Sequence, residues 1–137
     1  MYSHPVLRRV SVIARLLLGL IFLVFGLNFF LHFIPNSQQP EGRAAAFLGG
    51  LFQTGYFFLL LKSVEVIAGL FLVLNFFVPL TLVILMPISL NILLFHSFLE
   101  PTGMTLVISA LILVLQLFLA WGYRSQYRQL FVPRPAM

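Results

Sequence analysis

The sequence predicts an all-α integral membrane protein: a four-helix transmembrane bundle with both termini cytoplasmic and a short interfacial or re-entrant helix after the first span. Three observations carry this. Of 137 residues, 61% are hydrophobic and 8% charged, against about 25% charged in a typical soluble domain. Apolar runs recur at the ~20 residues that a helix needs to cross the hydrocarbon core. Six of the eight basic residues (Arg8, Arg9, Arg15, Arg124, Arg128 and Arg134) sit at the two ends of the chain, and Lys and Arg gather on the cytoplasmic side of spans.

The first span is expected over residues 12–34, interrupted by Arg15, Asn28 and His32 and closed by Pro35 and the polar stretch 36–43. Arg8 and Arg9 before an apolar run resemble the start of a signal peptide. The run exceeds the 7–15 residues of such a segment, so it is read as a retained helix. Residues 44–53, AAAFLGGLFQ, are too short to span and predict an interfacial or re-entrant helix, or an apolar loop folded on the bundle. The next apolar stretch is too long for one crossing. Pro79 divides it, because proline lacks the N–H and disfavours helix at Val78. The expected spans are then 54–76 and 80–99, with a kink at Pro87. Residues 100–103 make a turn, the last span covers 102–122, and residues 123–137 form a cytoplasmic tail of this single membrane domain. Trp121 and Tyr123 sit where interfacial aromatics belong.

Composition also excludes functions. A soluble globular enzyme, a disordered tail and a disulfide-stapled secreted domain do not fit. The chain has no Cys, which removes thiolate catalysis, Fe–S ligation and Cys-type zinc sites. The net charge of +5 has a topological reading, so no nucleic-acid partner is called for. Gly-rich phosphate loops and nucleophile elbows are missing.

Chemistry is therefore sought among polar residues inside the spans, where an ionisable group costs roughly 2.5–3.5 kcal/mol. These are Asn28, His32, Lys62, Glu65, Asn91, His96 and Gln116. With alternating span directions, all but Gln116 fall in the outer half of the bilayer. Asn28 and His32 (i,i+4) share a face, as do Lys62 and Glu65 (i,i+3). Asn91 and His96 diverge by ~140° and meet one pocket only if Pro87 or local unwinding intervenes. The expectation is an outward-opening ligand pocket around Lys62, Glu65, His32 and Asn28, with His96 or Asn91 added. The Lys62–Glu65 pair can hold a polar headgroup, relay a proton or neutralise itself. The plainer readings are snorkelling for Lys62, helix-to-helix hydrogen bonding for Asn28 and helix-end capping for His32 and His96. His4 is placed in a floppy N-terminus without a role. Two outer-side histidines invite haem, but their depth disfavours it, and no metal site is expected.

The stretch 54–70, TGYFFLLLKSVEVIAGL, resembles the second-helix signature of the DoxX family of small bacterial membrane proteins through Lys62, Glu65 and Gly69. Ala14-Arg15 with the following LLLGLIFLVFGLNFF is similar to that family's first helix. Pro87 with Asn91 to His96 looks like the third helix of a DoxX-like branch. The resemblance implies a four-helix bundle in the bacterial inner membrane and an association with redox complexes, including a quinone-reducing thiosulfate oxidoreductase. Without Cys, thiol chemistry does not carry over to this chain. Three functions then fit. The first is a subunit of a membrane redox or electron-transport complex holding a quinone or other amphiphile, with Lys62, His32 or Asn28 as donors and Glu65 as proton acceptor. The second is a non-catalytic accessory subunit. The third is a small proton-coupled transporter, which would have to oligomerise to enclose a path. Stand-alone catalysis ranks below these. The expected partners are the lipid bilayer, other membrane subunits and a second copy of the chain.

Overall fold

Four long helices form where the hydropathy predicts spans, and a fifth, shorter one fills the gap between the first two. The computed structural model describes residues 2–35, 39–134 and 136. Its elements are α1 (Pro5–Leu31), α2 (Gly42–Gln53), α3 (Phe57–Leu74), α4 (Val78–Phe98), α5 (Gly103–Gly122), a one-turn α6 (Arg124–Tyr127) and a 3-10 turn (Arg128–Phe131). No strand occurs among the described residues. α1, α3, α4 and α5 are each long and apolar enough to cross a membrane, and the chain is a multi-pass membrane protein. Large apolar side chains cover the outside, such as Leu59, Leu60, Ile67, Val107 and Val114. In water that surface would be prohibitive; against acyl chains it is what a spanning bundle presents.

The helix ends differ from the sequence expectation in ways the local chemistry explains. α1 starts at Pro5, seven residues before the expected start at 12. His4 caps it, its Nδ1 accepting from the Val6 N–H at 3.3 Å, so His4 has a definite place. α1 stops at Leu31, ahead of Pro35, because His32 adopts a left-handed conformation (φ 51°) and donates its N–H to the Asn28 carbonyl at 2.8 Å. Asn28 Oδ1 then accepts from the Ile34 N–H at 2.7 Å. Residues 36–38 of the expected polar connection lie outside the described residues.

The α3–α4 reversal is made by Asn75 ahead of Pro79. Asn75 takes a left-handed conformation (φ 62°), donates to Leu72 O at 3.3 Å, and Phe76 N–H returns to Phe71 O at 2.9 Å. That bonding pattern is a Schellman closure, with asparagine where glycine is commonest. Pro79 sits in the first turn of α4, where its missing N–H costs nothing. The helix therefore includes Val78 and also runs on through Pro87.

The four long helices close a ring in the order α1, α3, α4, α5, in which α1 lies tightly on α3 and α4 on α5. The other two seams are looser. Glycine makes the α1–α3 seam. A Cβ on Gly69 would stand 2.6 Å from Leu23 N and 2.8 Å from Gly19 O, and one on Gly26 would stand 2.8 Å from a Val66 methyl. Small residues of this kind let helix backbones touch inside a membrane.

Both termini lie at one end of the bundle. Tyr2 is buried there, its ring stacked on Phe118 at 5.1 Å and its hydroxyl donating to Phe118 O. A Cβ on Gly122 would come within 2.6 Å of that ring. Arg15 donates to the carbonyls of Leu72 and Val73, placing a cation on the negative end of α3. The fully buried leucines Leu18, Leu72, Leu82, Leu85 and Leu119 all lie toward this end. The opposite end carries α2, fixed by an Arg43 Nη2 donation to Phe98 O at 3.1 Å and by ring contacts of Phe47 with Phe95 and Phe52 with Phe58. The bundle is thus solid at the terminal end and open toward the α2 end.

Candidate functional site: an ion pair shared by two apolar cavities

Lys62 and Glu65 lie one turn apart on α3, about 7 and 12 Å along the axis from Phe57 at 1.5 Å per residue. Both depths are shallower than a span starting at residue 54 implied. Lys62 Nζ donates to Glu65 Oε2 at 3.0 Å, and this is the one salt bridge among the described residues. The Glu65 side chain is 4% exposed and that of Lys62 23%. The carboxylate is sunk in the bundle and the lysine side chain that pairs with it is partly exposed.

Two cavities meet at this pair. The larger, about 480 Å³, lies between α2, α3 and α4. The smaller, about 360 Å³, is lined from α1, α3, α4 and α5. Lys62, Glu65, Ile92 and His96 line both. Otherwise the walls are mainly apolar: Phe47, Leu51, Phe58 and Leu61 in one, Phe22, Phe25, Ile108 and Ile112 in the other. Both volumes fall within the ~300–1,000 Å³ usual for small-molecule sites, where an apolar wall surrounds a few convergent polar groups.

His96 is oriented by its own helix. Its Nδ1 lies 2.9 Å from the Ile92 carbonyl. A carbonyl only accepts, so Nδ1 carries a proton, and in the neutral ring Nε2 keeps its lone pair. Lys62 has donors beyond the one used on Glu65, and Glu65 Oε1 is a further acceptor. The shared wall therefore offers a cationic donor and two acceptors within an apolar enclosure.

The sequence-derived residues divide. Lys62, Glu65 and His96 come together at the junction. Asn91 is exposed and lines only the larger cavity. It shares a cavity with His96 because the wall uses two adjacent stripes of α4, Pro87/Asn91/Phe95 and Ile88/Ile92/His96. Asn28 and His32 line neither cavity; their polar groups close the end of α1, and His32 is exposed. Sequence reasoning missed Thr105 and Ser109, which line the smaller cavity. Ser109 Oγ donates within its helix to the Thr105 and Leu106 carbonyls. Their i,i+4 spacing in an apolar helix was the available signal. Gln116 lies deeper, fully buried, its Nε2 donating to Leu82 O at 2.7 Å across the α4–α5 seam. Its Oε1 and the Ser89 hydroxyl have no partner.

No three of His, Asp and Glu among the described residues converge as a metal ion would require. The resemblance to the DoxX family rests on the residues quoted for it. No family model, no curated protein and no solved structure matches this chain.

Proposed function

We propose that this protein is a ligand-holding subunit of a larger assembly in the bacterial inner membrane, and that it keeps an amphiphile by its polar head at Lys62, Glu65 and His96. One observation carries the reading: the ion pair is the common wall of two apolar cavities. A buried pair serving structure alone is better enclosed by packed side chains, because a void beside it forfeits dispersion contacts and leaves the charges poorly solvated. The DoxX resemblance adds a redox complex as the setting and a quinone as one candidate amphiphile.

Orientation follows from charge. The terminal end carries six of the eight basic residues, while Glu41, Glu65 and Glu100 all belong to the other half. Both termini are then cytoplasmic, and the open half with α2 faces outward.

The test is mild-detergent extraction from native membranes, followed by size separation and mass spectrometry of proteins and lipids together. Co-migration with a larger assembly, carrying an amphiphile that the Lys62→Met/Glu65→Gln variant loses, supports the proposal. A chain that migrates alone and carries no amphiphile refutes it.

A further inference from the structure

Resting on that ligand-holding reading, we infer that the occupant is a two-chain lipid with a small uncharged head, of the diacylglycerol class, its head at the Lys62–Glu65–His96 junction and one chain in each cavity. The two cavities, taken as arms of one site, share four lining residues, three of them polar. A single-chain ligand fills one arm and leaves the polar junction facing hydrocarbon through the other. A branched ligand seals the junction from both sides, so neither charge confronts an acyl chain unsatisfied.

Charge selects the head. Lys62 and Glu65 neutralise each other at 3.0 Å. A phosphate drawn to the ammonium would lie against the Glu65 carboxylate, and a quaternary ammonium would lie against Lys62. Like charges at such range are unfavourable in a low-dielectric site. An uncharged head meets neither penalty. The remaining Lys62 N–H groups suit ester carbonyls, and Glu65 Oε1 or His96 Nε2 suits a hydroxyl donor. A diacylglycerol carries two such carbonyls and one hydroxyl. Depth agrees: the junction lies about 7–12 Å below the start of α3, where a large hydrated head would have to be stripped of water.

The full-length protein in detergent is titrated with dioleoylglycerol, mono-oleoylglycerol and a short-chain ubiquinone, and binding is read by native mass spectrometry. Dioleoylglycerol is expected to bind about tenfold or more tightly than mono-oleoylglycerol, since only the former fills both arms. Ile108→Trp, at a half-buried wall position of the smaller arm, is expected to bring dioleoylglycerol down to about the mono-oleoylglycerol level. Leu51→Trp, in the larger arm, provides the matching block, and the wild-type affinity ratio stands should either variant fail to fold. Equal affinity for the one- and two-chain glycerides overturns the inference. So does preferential quinone binding, which leaves the ligand-holding function standing. Binding of none of the three probes also overturns it, and a purified chain that in addition carries no native amphiphile overturns the ligand-holding function.

Discussion

The Glu65 carboxylate and the Lys62 ammonium are 3.0 Å apart yet unequally buried, at 4% and 23% side-chain exposure. That asymmetry ranks their replacements. Lys62→Met leaves Glu65 as a sunken charge without its partner, while Glu65→Gln leaves Lys62 able to extend toward the interface. Breaking a buried pair from one side costs about 3–5 kcal/mol. Lys62→Met is expected at the low end of that range, and Glu65→Gln below it. The double variant, carrying no charge, should recover most of the loss. Thermal unfolding in detergent of the three variants checks the order.

The α1–α3 seam makes a sharper forecast. Gly69→Ala places a methyl 2.6 Å from a backbone nitrogen of α1, and backbone cannot rotate away. The helices must part, at about 1–3 kcal/mol or more. Gly49→Ala on α2 meets nothing within 4 Å and should gain up to about 1 kcal/mol of helix propensity. Both can be read as shifts in thermal midpoint, opposite in sign.

Much of this fold was legible in the sequence because hydropathy and span length report on membrane-crossing helices directly. The i,i+3 spacing of Lys62 and Glu65 likewise placed them on one face. What could not be read was how polar atoms spend their bonds. The spacing of Asn28 and His32 puts them on one helix face, but His32 leaves the helix in a left-handed conformation and Asn28 Oδ1 is spent on the Ile34 N–H at the end of α1. Arg15 looked like a topological charge and also closes the end of α3. Tyr2 lies outside every span and gave no periodic signal, yet it packs on Gly122. The second cavity depends on the loose α1–α5 and α3–α4 seams, and tertiary spacing of that kind leaves no mark on local pattern.

Tyr127 ties the C-terminal segment to the α3–α4 turn, its hydroxyl donating to Pro79 O at 2.8 Å. Burial, aided by nearby Tyr123, pushes its pKa from 10.0 up to about 12. The folded form therefore holds this proton more tightly than the unfolded chain. Its contribution to stability is intact below pH 10 and is lost as pH rises from about 10 to about 12. Tyrosinate absorbance should show a late-titrating component that is missing in Tyr127→Phe, and that variant should lose less stability across the same pH window.

The unpartnered polar atoms of α4 and α5 predict little loss when they are replaced by apolar groups of similar size. Ser89 is fully buried and its hydroxyl has no partner. Ser89→Ala should be neutral or stabilising by up to about 1 kcal/mol. Gln116→Leu gives up the bond to Leu82 O but also removes the orphaned Oε1, and should stay within about 1 kcal/mol of wild type. Gln116→Ala leaves a cavity in the packed end and should cost about 2–4 kcal/mol. Comparing the two Gln116 variants by thermal unfolding separates volume from hydrogen bonding.

The most direct test of the ligand-holding site is to purify the wild type and the Lys62→Met/Glu65→Gln variant from the same membranes and quantify the amphiphile that each retains. The site as described predicts stoichiometric amphiphile on the wild type, and its loss from a variant that unfolds at nearly the wild-type temperature. Equal amphiphile on both proteins would contradict it, and the pair would then serve the bundle alone.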